Sequence, residues 1–158
     1  MSTFISPQNS AVGTDHRGSL VLPQAACLQR VAAVPVGRVG FRSGGDVLIL
    51  PVNHLVSGTT VVFRTEWGAK VEALSDGTPV SFEADAFDAR SRTGWSVLVK
   101  GTAEWVTDDS ECQELDRRAG ASWLPAGMDP VWIRIRPEEI TGRELGPLEP
   151  TAAPATPA

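Results

Sequence analysis

Thr65, Gly68 and Lys70 place a hydroxyl, a flexible backbone and a cation within a few residues of one another. This combination suits a phosphate group, because the hydroxyl and free amides donate hydrogen bonds and the ammonium neutralises charge. The same residues are also typical of a surface turn, with Gly68 as the turn residue and Lys70 solvated. The spacing alone leaves both interpretations open.

The sequence lacks the motifs of metalloenzymes and serine hydrolases. His16 and His54 form no HExxH motif and no cluster with cysteine, so a metalloenzyme is not expected. No serine lies in a GxSxG motif. His54 could donate a proton near neutral pH, but its position after a proline favours an exposed turn histidine. Cys27 and Cys112 are far apart and predict two unpaired, buried or half-buried thiols in a reducing compartment.

Glu83 and Asp85 are the carboxylate pair that could support hydrolysis. They alternate on a predicted strand and face the same way, so we expect them to be solvated or salt-bridged. The net charge of −5 and the scattered arginines give no basic surface for nucleic acid. No apolar run approaches the ~20 residues of a membrane span, and the first residues show no secretory signal. We therefore expect a cytoplasmic protein without nucleic-acid or membrane partners.

Two antiparallel strands are predicted to position the phosphate candidate. The aliphatic run 47–50 is a strand that Pro51 ends. Ser57-Gly58 supplies a turn, and residues 59–65 return as a second strand rich in β-branched side chains. The loop that follows carries Gly68 and Lys70, and residues 69–75 predict one or two turns of helix.

The remaining elements are short strands and two helices. Pro23 opens the first helix, which ends by Pro35. Asp108 or Asp109 caps the second helix, and Gly120 ends it. Further strands are predicted at 37–41, 79–85, 94–106, 131–135 and 140–145.

These strands predict a mainly β fold, a small barrel of six or so antiparallel strands with two flanking helices. Gly101 lies within the longest strand, where a bulge would help a barrel to close. A turn is expected at Arg136-Pro137. Residues 1–18 are predicted to be a flexible arm, 19–145 the folded domain, and 146–158, rich in Pro, Ala and Thr, a disordered tail.

Five motifs, taken in order, resemble those of the pyridoxamine 5′-phosphate oxidase-like flavoproteins. They are GRVGF, LPVN, VVFRTxxGxK, VSFEAD and GWSVLVKGTAEWV, and the likeness runs from about Pro23 to Leu145. The branch that includes the nitroimidazole-resistance proteins and many small actinobacterial members shares these motifs best.

The resemblance implies a split β-barrel with Greek-key-like closure that binds FMN. It also implies a homodimer with FMN held in two symmetric grooves between the subunits. The segment that lines the isoalloxazine ring in this family matches Leu50, Pro51, Val52 and Asn53.

Three further pairs of residues match functional positions of the family. The hydroxyl and the lysine that bind the flavin phosphate match Thr65 and Lys70. Polar contacts from the partner subunit match Trp95 and Ser96. The late strand that meets substrate in the true oxidases carries Trp132 and Arg134.

The resemblance therefore predicts an FMN-dependent oxidoreductase whose substrate and electron donor the sequence leaves open. A non-catalytic flavin-binding or sensor protein is one alternative, and a deazaflavin-dependent reductase is another. The oligoglutamate tail of the deazaflavin needs an extended basic surface, which this acidic chain lacks. The true oxidases carry an arginine near Ile49 that is absent here, which leaves fewer cations for the flavin phosphate. The C-terminal pattern that binds pyridoxal phosphate in the true oxidases is also not evident, which disfavours vitamin biosynthesis.

Overall fold

The computed structural model describes residues 13–15, 19–66, 68–74, 76–120 and 130–146, with the backbone alone at 69 and 70. Seven strands and three helices lie in this part of the chain. In chain order they are β1 (Leu20–Val21), α1 (Gln24–Ala32), β2 (Val36–Ser43), β3 (Asp46–Ser57), β4 (Thr60–Glu66), α2 (Ala69–Glu72), β5 (Pro79–Asp88), β6 (Thr93–Trp105), α3 (Asp109–Ala119) and β7 (Pro130–Leu145).

One antiparallel sheet closes on itself to form the barrel. The strand order is β1-β7-β4-β3-β2-β5-β6, and β7 also pairs with β6. The long β7 makes this closure, because residues 130–135 pair with β4 while residues 133–145 pair with β6. The predicted mainly β barrel with flanking helices is confirmed, with the short α2 at the predicted helical turn.

The barrel interior is filled by alternate side chains of the long strands. Phe41, Phe63, Phe82, Val97 and Ile133 are buried there. Burying one such side chain contributes about 1.5–3 kcal/mol. A second and smaller apolar cluster lies outside the barrel, under α3, and consists of Val62, Val106, Leu115 and Trp132.

The predicted strand end at Pro51 is wrong, because β3 continues through it to Ser57. On one side β3 pairs with β2 from Asp46 to Asn53, whereas β4 pairs with the other side only from Asn53 onward. Residues 46–52 therefore form an edge of the sheet. Proline is tolerated at an edge, where its missing N–H removes no ladder hydrogen bond.

The predicted turn at Arg136-Pro137 is also wrong, because β7 runs through it without interruption. The register against β6 shifts between Lys100 and Gly101, and Glu138 is the extra residue. A bulge is thus confirmed beside Gly101, with its extra residue on the facing strand β7. A Cβ on Gly101 would lie 1.9 Å from the Arg136 carbonyl oxygen, so the two strands approach too closely for any other residue.

The two longer helices begin and end where the sequence predicted. Pro23 precedes α1, and Asp108 caps α3 by accepting a hydrogen bond from the Glu111 amide at 2.8 Å. Gly120 ends α3 with a φ of 65°. None of the described helices is long and apolar enough to cross a membrane.

The ends of the predicted domain are described only in part. Of the predicted N-terminal arm, residues 13–15 lie against the sheet: the Val21 amide donates to the Gly13 carbonyl at 2.9 Å, and Asp15 forms an ion pair with Arg143 at 3.0 Å. The C-terminal tail lies outside the described residues from position 147 onward. The arm and the tail therefore remain predictions.

Candidate functional site

A groove of about 320 Å³ lies outside the barrel, between the end of α1, the strands β3, β4 and β7, and the end of α3. Most of its lining is apolar, with a few polar side chains at the base. The lining residues are Ala32, Ala33, Val34, Pro35, Asn53, His54, Leu55, Arg64, Ala119 and Trp132. Apolar concave surfaces with a few placed polar groups are typical of small-molecule sites.

The segment between α1 and β2 forms one wall of the groove. The helix α1 before this segment is capped by Ala33, whose backbone amide donates to the Arg30 and Val31 carbonyls. Pro35 then fixes the segment to β3, because its carbonyl accepts from the Asn53 side-chain amide and from the His54 backbone amide, each at 3.3 Å. This wall is therefore held at a defined distance from the base.

The base of the groove is a row of side chains on three adjacent strands. Asn53 of β3 lies opposite Arg64 of β4, and Arg64 lies opposite Trp132 of β7. Because cross-strand partners project to the same face of a sheet, an amide, a guanidinium and an indole stand side by side. Asn53 and Trp132 were predicted site residues, and the register brings them to the same groove.

Arg64 was not predicted, and it carries the positive charge of the groove. Its Nη1 lies 3.2 Å from the Asp116 Oδ1 of α3, and its guanidinium lies 5.4 Å from the centre of the Trp132 ring. The Trp132 Nε1 also donates to Asp116 Oδ1, at 2.9 Å. The sequence did contain one signal for this role, because Arg64 is a charged residue within an apolar strand and directly precedes Thr65. Its partner Asp116, on a distant helix, could not be identified without the fold.

His54 lines the groove but is not the exposed turn histidine that the sequence favoured, so that prediction is wrong. Its side chain points into the barrel, where it is buried and packs edge-on against Phe82 at 4.9 Å. The Nε2 lies 2.8 Å from the Val31 carbonyl, which can only accept, so Nε2 carries the proton. Burial lowers the pKa of His54 below its usual range, and the hydrogen bond to the Val31 carbonyl opposes this only in part. The ring is therefore a neutral structural link between β3 and α1.

The predicted isoalloxazine segment lies along the open edge of β3. Pro51 and Asn53 point outward, whereas Val52 is buried and Leu50 packs on the core. None of the described strands pairs with this edge before Asn53. Backbone groups that point away from β2 are thus placed beside the groove.

The predicted phosphate residues lie at the end of β4 and the start of α2. Thr65 is half-buried and projects to the opposite face from Arg64. Gly68 caps α2, and its carbonyl accepts from the Val71 amide at 2.8 Å. The side chain of Lys70 lies outside the described part of the structure, so the phosphate contact remains a prediction.

Trp95 and Ser96 do not line this groove in their own chain. Trp95 points into the barrel, with the Arg30 guanidinium 6.0 Å from its ring centre. Ser96 lies on the outer face, between Asp85 and Arg143 in the register. The resemblance assigns both to the groove of a partner subunit, and this assignment stays a prediction.

Arg134, the other predicted substrate residue, is engaged by two carboxylates beneath α3. It forms an ion pair with Glu111 and lies 3.6 Å from Glu104. These contacts direct its charge toward the helix, whereas Arg64 lies at the groove. A role in substrate binding remains a prediction for Arg134.

The carboxylate pair and the two thiols lie as the sequence predicted. Glu83 and Asp85 face the same way and both pair with Arg38, at 3.2 and 3.0 Å. Burial raises the pKa of Glu83, with a further contribution from the Asp85 charge. Cys27 is buried, Cys112 is half-buried, and neither forms a disulfide.

Known proteins resemble this chain in sequence and in fold. The sequence pattern of the family described as pyridoxamine 5′-phosphate oxidase matches residues 23–144. An uncharacterized protein of Mycobacterium tuberculosis is 37% identical over 142 residues, which cover 87% of this chain and 88% of that protein. An FAD-binding protein from Mycobacterium smegmatis is 35% identical with a TM-score of 0.65, over 80% of this chain and 97% of that one.

A more distant structure supports the fold alone. The FAD-binding protein from Mesorhizobium loti is 24% identical, with a TM-score of 0.66 over 82% of this chain and 100% of that one. The family pattern runs from the residue before α1 to the last residue but one of β7, and thus covers every element of the barrel except the two-residue β1. This chain therefore belongs to the pyridoxamine 5′-phosphate oxidase family.

Proposed function

We propose that the chain binds a flavin in the groove and acts as a flavin-dependent oxidoreductase. The observation that carries this proposal is the row of Asn53, Arg64 and Trp132 at the base of an otherwise apolar groove. Membership of the family and the 35% identical FAD-binding protein support it.

The chemistry of the groove matches the parts of a flavin. Val34, Pro35 and Leu55 offer apolar surface to a flat aromatic ring, and the amide of Asn53 can donate and accept at the polar edge of that ring. The open edge of β3 adds backbone groups. Arg64 supplies a cation for a phosphate.

FMN is the cofactor that the sequence predicted, and the relationship to the Mycobacterium smegmatis protein favours FAD. FAD contains the whole of FMN, so the same contacts would serve for both. We propose that the groove holds the FMN portion and that the natural cofactor carries the additional adenylate.

A homodimer is part of the proposal. Val47 and Ile49 are 68% and 69% exposed, and they lie on the outward face of β3 together with Pro51. A second copy on this face would cover these side chains. In such a dimer the resemblance assigns Ser96, on the outer face of β6, to the groove of the partner subunit.

A bound flavin supplies the hydride and electron chemistry of such an enzyme. The residues of this chain bind and orient it and exclude water from one side of the ring. His54 is unsuited to proton transfer, because its ring is buried and its Nε2 is bonded to a carbonyl. The substrate or electron donor is a small molecule that reaches the open side of the groove.

The test is to purify the protein and to identify what it carries. We expect a yellow protein that retains flavin through gel filtration, with FAD as the species released on denaturation. Colourless protein that takes up neither FMN nor FAD would contradict the proposal. Comparison with a deazaflavin in the same titration tests that alternative directly.

Reduction separates an enzyme from a binding protein. Under anaerobic conditions, NADH or NADPH should bleach the bound flavin, and an added acceptor should restore its colour. Flavin that stays oxidised with both nucleotides and with reduced protein partners would favour a storage or sensor role. Ile49→Asp should dissociate the dimer in sedimentation, and Gln113→Asp, at an exposed position of α3 away from this face, is the matched control.

A further inference from the structure

Arg64 and Asp116 make a contact that places a charge from α3 at the rim of the groove. The Arg64 side chain is only 12% exposed, whereas that of Asp116 is 50% exposed. A single carboxylate oxygen, Asp116 Oδ1, accepts hydrogen bonds from Arg64 Nη1 at 3.2 Å and from Trp132 Nε1 at 2.9 Å. One oxygen of α3 thus fixes two of the groups at the base of the groove.

This arrangement defines where the guanidinium lies before any ligand arrives. It lies over the Trp132 ring at 5.4 Å, a distance at which a cation is attracted to the face of an indole. A free arginine side chain has many rotamers, and ordering it on binding costs affinity. Because Asp116 and Trp132 already hold Arg64, that cost is smaller when an anion binds.

The position of Asp116 is itself fixed, because α3 is anchored to the barrel at several points. Leu115 is buried in the cluster under the helix. Arg118 donates to the Val56 carbonyl at 2.7 Å, and Glu111 pairs with Arg134. The carboxylate therefore sits on a helix that cannot turn without breaking these contacts.

We propose that Asp116 is a positioning residue, which acts through Arg64 to present a guanidinium to the phosphate of the ligand in the groove. The inference rests on the proposed flavin function. Both FMN and FAD carry a phosphate, and the planar fork of arginine matches phosphate oxygens. Asp116 itself does not touch the ligand.

The experiment compares FMN with riboflavin, which lacks the phosphate, in fluorescence titrations of the full chain. Asp116→Ala should lower the preference for FMN over riboflavin about tenfold, because Arg64 is then no longer held in place before the phosphate binds. The loss of riboflavin affinity that follows from freeing the Trp132 indole should be smaller. Asp116→Asn should keep most of the preference, since its amide oxygen still accepts both hydrogen bonds. Glu114→Ala is the matched control, because Glu114 pairs with Arg117 on the exposed side of the same helix.

Equal loss of FMN and riboflavin affinity in Asp116→Ala would overturn the inference, since it would show a role in packing alone. An unchanged preference would overturn it as well. If the wild-type protein binds neither flavin, the proposed function fails, and calorimetry with inorganic pyrophosphate then decides about Asp116. Pyrophosphate binding that is lost in Asp116→Ala and kept in Asp116→Asn would sustain the anion site, and no pyrophosphate binding would overturn both.

Discussion

The barrel interior and the face under α3 are two apolar regions built in different ways. The interior is lined by aliphatic and aromatic side chains, with His54 as the buried polar residue among those the structure describes. The face under α3 has a small apolar cluster rimmed by ion pairs, including Arg64 with Asp116 and Arg134 with Glu111. The groove lies where these two regions meet.

The two regions therefore have different roles: the interior determines the fold, and the face under α3 orients the charged groups beside the groove. The interior sets the strand register by burial, because a slip of one residue would turn every side chain to the wrong face. The ion pairs under α3 add little to stability for each pair, but they fix the direction of a few charged groups. We therefore expect substitutions in the interior to unfold the protein and substitutions under α3 to alter the groove.

Phe82→Ala should have the largest effect. The ring is fully buried against His54, and its removal leaves a cavity in the middle of the barrel. We expect the free energy of unfolding to fall by about 3–5 kcal/mol in urea denaturation. Phe87→Ala on the same strand is the control, because Phe87 is 62% exposed. If Phe87→Ala lowered the free energy of unfolding as much as Phe82→Ala, burial of the side chain would not explain the loss.

Leu115→Ala tests the smaller region and should have a weaker effect. Leu115 is 1% exposed, but it belongs to the minor cluster. We expect a loss of about 2–3 kcal/mol, at the lower end for buried leucine. Hydrogen exchange of the α3 amides should accelerate more than that of the interior strands. Uniform acceleration throughout the barrel would mean that the two regions unfold as one unit.

His54 should make the stability of the barrel depend on pH. Because its pKa is lower in the folded than in the unfolded state, its contribution is complete above about pH 6.5 and is lost as the pH falls toward the folded pKa. The free energy of unfolding should fall by up to about 1.4 kcal/mol per pH unit in this window. His54→Gln keeps a donor for the Val31 carbonyl and does not titrate, so its slope should be smaller. Parallel slopes for the two proteins would refute this role of His54.

Arg38→Ala should have the smallest effect on stability. Arg38 is 44% exposed and pairs with Glu83 and Asp85 on the outer face. We expect a loss of at most about 1 kcal/mol. The pKa of Glu83 should rise further, since the Arg38 charge currently lowers it against burial and Asp85. NMR titration of the Glu83 carboxyl measures this rise in pKa. Lys100→Ala is the control, because it removes a different exposed ion pair, with Glu139, and should leave the pKa of Glu83 unchanged.

The elements that depend on local patterns were predictable from the sequence. The turn at Ser57-Gly58, the cap at Asp108 and the bulge at Gly101 all follow from residue types at short range. The strands through Pro51 and Pro137 were missed, because a proline ends a strand only where its neighbours need its N–H. Whether they do depends on pairing with distant strands.

The candidate site was predictable only in part, for the same reason. The resemblance pointed to Asn53 and Trp132, and the register places them in one groove with Arg64. Arg64 could be noticed as a charge within an apolar strand, but its partner Asp116 is 52 residues away in sequence. His54 was assigned to the surface because Pro51 was taken as the end of the strand. Once β3 continues, alternation turns His54 inward.

A crystal structure of the protein with FAD tests the central claim most directly. We expect the flavin to lie in the groove, with its ring against Pro35 and Leu55, its polar edge at Asn53 and a phosphate within hydrogen-bond distance of Arg64. A flavin bound elsewhere on the barrel, or a groove that stays closed by the protein's own side chains at saturating FAD, would contradict it.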